Sequence, residues 1–82
     1  MTNDITNYDR AAWAAKALAA FTGENGSDHP GLLSPIDLQS AITDLMADLL
    51  HFAHIQGFDA ARIAVRASTH FEYELREEAR HP

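Results

Sequence analysis

The chain contains no cysteine, so disulfides cannot hold it together, and the same absence excludes zinc sites built on thiolates. It has only three prolines and four glycines in 82 residues, which leaves little to interrupt regular structure except at a few points. Positive charge is scarce as well. Six Lys and Arg stand against twelve Asp and Glu, a formal charge of −6, and the basic residues fall mostly in the last third of the sequence. Phosphate backbones would be repelled by such a chain, so no general nucleic-acid-binding surface is expected, and basic protein surfaces suit it better. Five histidines provide a pH lever, because charging all of them would cancel most of the −6.

Long hydrophobic runs are missing too. The longest apolar stretch, Leu38 to Phe52, is broken by Asp44, Asp48 and His51, and a bilayer requires about 20 apolar residues in succession, so no membrane span is expected. The opening Met1-Thr2-Asn3-Asp4 carries neither a basic n-region nor an apolar h-region, and a cytoplasmic location is the expectation. No Ser/His/Asp triad, glycine-rich phosphate loop or Cys/His zinc spacing is present. A chain of this length forms one domain, residues 1–82, and buries only about 60% of the surface that its unfolded form exposes. With disulfides excluded, a bound metal or a second subunit is the expected source of added stability. We therefore expect a homo-oligomer, a dimer or a tetramer.

What is present spells three helices, an all-α fold. Thr6 and Asp9 have the spacing of a capping box, in which each side chain takes the other's free backbone N–H, and Gly23 is a helix-stop residue. The first helix is predicted over about 7–22. Its alanine-rich sequence has high helix propensity and places Trp13, Ala17 and Phe21 in one line, which marks Trp13 and Phe21 as packing or interface anchors. Residues 22–34 are rich in Gly, Asn, Ser, Asp and Pro and read as a flexible loop. Ser34-Pro35-Ile36-Asp37 then supplies an N-cap, a proline in the first turn and an acid behind it, so a second helix is predicted over about 35–56. Gly57 ends it. Asp59 caps a third helix over about 60–79, and Phe58 precedes Ile63 at the spacing of a hydrophobic staple. A turn this short predicts an antiparallel hairpin of the last two helices, completed as a bundle by self-association.

Candidate functional residues follow from placing these helices on a wheel of about 100° per residue. Leu38, Ala41, Ile42, Leu45, Met46, Leu49, Phe52 and Ala53 form a broad apolar stripe on the second helix, with Phe52 as an anchor. Opposite it, Asp37, Asp44 and His51 make an acidic face, and Asp48 borders both regions. On the third helix the stripe is Ala60, Ala64, Ala67, Phe71 and Leu75, with Phe71 the anchor, while Arg62, Arg66, Tyr73 and Arg80 lie on the far side. His70 and Glu74 share a flank with Ile63. They are placed to face Asp48 across the hairpin, and Asp48, His70 and Glu74 then make a candidate hard-to-borderline metal site. A hydrogen-bond cluster that fixes helix register is the simpler reading, because His-x-x-x-Glu and Asp-x-x-x-Asp pairs are common on solvated helices. Glu72 and Arg76, at i and i+4, are expected to pair on the surface.

The run Asp44-Leu45-Met46-Ala47-Asp48-Leu49-Leu50-His51, followed by Gly57-Phe58-Asp59 and by His70-Phe71-Glu72-Tyr73-Glu74, resembles the second half of MazG-like all-α nucleotide pyrophosphohydrolases. It is more similar to short bacterial proteins associated with mobile elements, which carry an Asp-Leu-x-x-Asp-Leu-x-His helix and a later His-aromatic-x-x-Glu. The resemblance covers roughly residues 38 to 75. It implies an all-α fold and, for the enzymes, Mg²⁺ or Mn²⁺ held by Glu-Glu-x-x-Glu and Glu-x-x-Asp elements. Here Leu45 stands in place of the Glu of the second element, the first helix has no paired glutamates, and only Asp48 matches. One carboxylate is too few to neutralise a triphosphate around a divalent ion. The expected function is therefore a non-catalytic helical module without a cofactor, which self-associates and offers Asp37, Asp44, Asp48 and His51 to another protein. A divalent-metal-dependent nucleoside triphosphate pyrophosphohydrolase and a mobile-element-encoded inhibitor of a basic host protein are the alternatives.

Overall fold

A computed structural model describes residues 5–24 and 33–80. Three α-helices account for nearly all of them: α1 (Asn7–Glu24), α2 (Pro35–Ile55) and α3 (Ala60–Arg80), with no strand among the described residues. None of these helices is long and apolar enough to cross a membrane.

Each helix begins where its cap dictates. At α1, the Thr6 N–H donates to Asp9 Oδ2 at 2.9 Å while Asp9 N–H donates to Thr6 Oγ1 at 3.2 Å, the reciprocal arrangement of a capping box. At α2, Ser34 Oγ accepts the Asp37 N–H at 3.1 Å, and Pro35 stands in the first turn where its missing N–H costs nothing. Asp59 Oδ1 does the same for the Arg62 N–H of α3 at 3.0 Å.

The link between α2 and α3 is set by Gly57. Its φ of 85° lies in the left-handed region, which a side chain disfavours. The Gly57 N–H donates to the His54 carbonyl at 3.0 Å and the Phe58 N–H to the Ala53 carbonyl at 3.0 Å. That pair of bonds is a Schellman motif, which satisfies carbonyls that the end of α2 would otherwise leave free.

Gly23 behaves differently from expectation. It stays helical, without positive φ, and α1 continues through Glu24. The reason lies one residue earlier: Thr22 is the most deeply buried described residue, and its hydroxyl donates to the Ala19 carbonyl at 3.2 Å. A packed last turn outweighs the helix-breaking tendency of one glycine, which is about 1 kcal/mol. The expected loop over 22–34 thus loses its first three residues to α1; Leu33 and Ser34 lead into α2, and the remainder, with His29, lies outside the described residues, as does His81.

The core is thin. All three helix pairs touch, yet among the described residues Leu18 and Ala53 are the buried hydrophobic ones and Thr22 the buried polar one. On α1 the buried positions Leu18 and Thr22 are i and i+4, on a line rotated away from Trp13, Ala17 and Phe21. Trp13 is consequently 56% exposed, Ala17 is exposed and Phe21 is half-buried. Around the turn, the residues that α2 and α3 partly or fully cover are the small ones, Ala53, Ala60 and Ala64, with Leu50.

Candidate functional site

Acidic side chains on α3 fasten α1 rather than converge on a metal. Arg10 of α1 places Nε 3.0 Å from Glu74 Oε2, and its Nη1 donates to Asn7 Oδ1 at 2.8 Å, which orients the guanidinium toward α3. Asn7 Nδ2 donates to the Glu74 carbonyl at 3.2 Å. One turn further along α3, both carboxylate oxygens of Glu78 accept the Asn7 N–H, at 3.2 and 3.3 Å. That donor belongs to the first turn of α1, where backbone N–H groups have no partner within the helix and the dipole is positive. Glu78 is therefore a cap supplied from another helix, placed beside the capping box that Thr6 and Asp9 form.

This clamp decides the fate of the candidate metal residues. Glu74 is half-buried with its carboxylate engaged by Arg10, while Asp48 and His70 are both exposed. Among the described residues no group of three His, Cys, Asp or Glu side chains comes together in a way that could hold a metal ion. The structure thus does not assemble Asp48, His70 and Glu74 as a triad. Of the three, Glu74 has a cation beside it already, the guanidinium of Arg10.

Sequence reasoning missed Asn7, Arg10 and Glu78. A signal for them exists: Glu74 and Glu78 are i and i+4 on the same side of α3 as Ala67 and Phe71, and acids bordering an apolar stripe need a donor from elsewhere. Arg10 is the one arginine outside α3. The surface pair expected between Glu72 and Arg76 does not form. Glu77 and Arg80 pair instead, with Oε2 and Nη1 3.6 Å apart.

The acidic face of α2 is intact and unengaged. Asp37, Asp44, Asp48 and His51 are all exposed, and no side chain of the described residues bonds to the three carboxylates. Asp48 lies on the same exposed side as Asp44.

The apolar residues expected to anchor packing are largely uncovered. Phe52 is 62% exposed and Phe71 60%, and Ile42, Met46 and Leu49 on α2 and Leu75 on α3 are exposed as well. Leu38, Ile42, Leu45, Leu49 and Phe52 follow one another at intervals of four, three, four and three residues. That is the alternation of a coiled-coil seam, in which every knob needs a hole on a second helix. Within the chain, Leu38 and Leu45 are half-buried and the other three members face outward.

Comparison with known proteins returns no match: no family model fits the sequence, and neither a curated protein nor a solved structure is significantly similar to it.

Proposed function

We propose that this chain is a non-catalytic helical module whose α2 and α3 form an antiparallel hairpin that self-associates, while the acidic face of α2 serves as an interaction surface for protein. The observation that carries this reading is the exposed seam of Ile42, Leu49 and Phe52, with Met46 beside it, over a core whose buried hydrophobic members among the described residues are Leu18 and Ala53. Isolated exposed apolar residues are ordinary, but a row of large ones at heptad spacing along one helix marks an interface.

A second copy of the chain is the occupant that the observations favour. Heptad spacing calls for another helix of matching period, and the same α2 on a two-fold-related copy has it. A stable interface covers about 800 Å² on each partner, which a seam along the 21 residues of α2 can supply together with its flanks. Completing the burial of each half-exposed Ile, Leu or Phe contributes on the order of 1 kcal/mol.

The test is sedimentation velocity on the wild type and on an Ile42→Glu, Leu49→Glu double variant. Both residues are exposed in the chain, so the variant keeps its helical circular dichroism, and the reading predicts that it sediments as a monomer where the wild type does not. Equal sedimentation coefficients for the two would contradict it.

A further inference from the structure

Two groups of exposed charge of opposite sign lie on different helices. On α3, Arg62, Arg66, Arg76 and Arg80 fall within about 80° of one another in helical projection, with Thr69 and Tyr73 between them and no carboxylate in that arc. All six residues are exposed. The stripe holds four of the six cationic residues of an otherwise acidic chain and extends about 27 Å. On α2, Asp37, Asp44 and Asp48 fall within about 40° of one another. Arg80 has Glu77 beside it, but the guanidinium groups of Arg62, Arg66 and Arg76 pair with no described residue, and neither do the carboxylates of the three aspartates. The contrast with Asp9, Glu74 and Glu78, each engaged at the start of α1, is sharp.

We propose that the arginine stripe of α3 docks on the acidic face of α2 of a second copy of this chain. The spacing fits: Arg62 and Arg66 are i and i+4, as are Asp44 and Asp48, so each pair spans about 6 Å along its axis. Two guanidinium–carboxylate contacts can form side by side, and Arg makes such contacts in a planar, two-pronged geometry. A nucleic acid suits the stripe less well, because the chain carries −6 overall and the aspartates of α2 add to the repulsion of phosphate.

When one such contact forms, the pair is left with one free surface of each kind, the aspartates of one copy and the arginines of the other. Association through contacts made in one direction therefore propagates beyond the dimer unless a ring closes. Asp37 and Asp44 lie about 100° or more from the centre of the heptad seam in helical projection, and Asp48 lies at its border beside Phe52, so the two surfaces adjoin on α2. This inference rests on reading the acidic face as an interaction surface and names its partner as the chain itself.

Light scattering coupled to size exclusion, at about 50 and 500 mM NaCl, tests it with two charge-reversal variants of the full chain: Arg62→Glu with Arg66→Glu, and Asp44→Arg with Asp48→Arg. Exposed ion pairs weaken as salt shortens the screening length. The wild type is expected to show at least a twofold greater mass at low salt than at high salt, and each variant alone the high-salt mass at both. The aspartate variant is the sharper of the two, because it moves the net charge toward zero and should still lose the low-salt step. Mixing the two variants is expected to restore the step, since reversed faces match each other and each variant retains one native face. Unchanged salt dependence in both variants, or no gain on mixing, would overturn the proposal while leaving the seam intact. Retention of a labelled oligonucleotide by the wild type, lost on Arg62→Glu with Arg66→Glu without any change in mass, would overturn it in favour of a polyanion. The Ile42→Glu, Leu49→Glu variant reports on the seam separately, through the mass at high salt.

Discussion

Asn7 of α1 gives its backbone N–H to the Glu78 carboxylate of α3, at 3.2 and 3.3 Å, so that a residue near one end of the sequence caps a helix that starts near the other. Beside it, Arg10 and Glu74 make the ion pair that joins the same two helices. The two contacts are chemically unequal. Glu78 satisfies a backbone donor at the positive end of α1, whereas the Arg10–Glu74 pair keeps over a third of each side chain in solvent and is weakened accordingly. Replacing Glu78 with Gln is expected to cost about 0.5–1 kcal/mol, and a Glu74→Gln change no more than that. Urea denaturation followed by circular dichroism checks the order, and a Glu74 variant clearly less stable than the Glu78 variant would reverse it.

Two glycines should respond in opposite directions to the same substitution. A methyl group added at either Gly23 or Gly57 meets no atom, so space does not distinguish them. Backbone conformation does. Gly57→Ala puts an L residue at positive φ and is expected to destabilise by about 1–2 kcal/mol, whereas Gly23→Ala, inside α1, is expected to stabilise by about 0.5–1 kcal/mol. Thermal melts of the two variants should bracket that of the wild type.

The caps give a uniform prediction. Ser34→Ala and Asp59→Ala each remove the acceptor of a first-turn N–H, at α2 and α3 respectively, and each is expected to lower stability by about 1 kcal/mol. In a domain of this size that corresponds to about 4–8 °C in Tm. Ser34→Asp, which keeps an acceptor at the cap, should retain most of the stability; a Ser34→Ala variant that melts with the wild type would show that the cap is not limiting.

Adjacent positions on α2 should separate folding from association. Ala53 is buried and Leu49 is exposed, four residues earlier on the same helix. A carboxylate forced into the Ala53 site has no partner, so Ala53→Glu is expected to unfold the chain, with loss of its helical circular dichroism. Leu49→Glu is expected to leave the monomer helical and to weaken self-association by at least tenfold, read as the dissociation constant from sedimentation equilibrium.

Local signals located most of the fold. Thr6 with Asp9, Ser34 with Pro35, and Asp59 each start a helix where side-chain chemistry places the start, because capping depends on residues within one turn of each other. Gly57 ends α2 for the same reason. Gly23 was misread because its effect depends on how firmly Thr22 is packed, which is a tertiary matter. Rotation of α1 was misread in the same way: an alanine-rich helix has no strong apolar moment, so Trp13 and Phe21 suggest one inner face and the packing of Leu18 and Thr22 selects another. The candidate metal residues were judged by spacing along single helices. Such spacing does not reveal that Glu74 answers to Arg10, more than sixty residues away in the chain.

Light scattering of the full chain across a hundredfold range of concentration, at high salt, tests self-association most directly. The account predicts a mass that rises to a whole-number multiple of 9.0 kDa and a melting temperature that rises with concentration. A cooperative, concentration-independent melt at a constant 9.0 kDa would contradict it, because the exposed seam of α2 would then be the finished surface of a monomer.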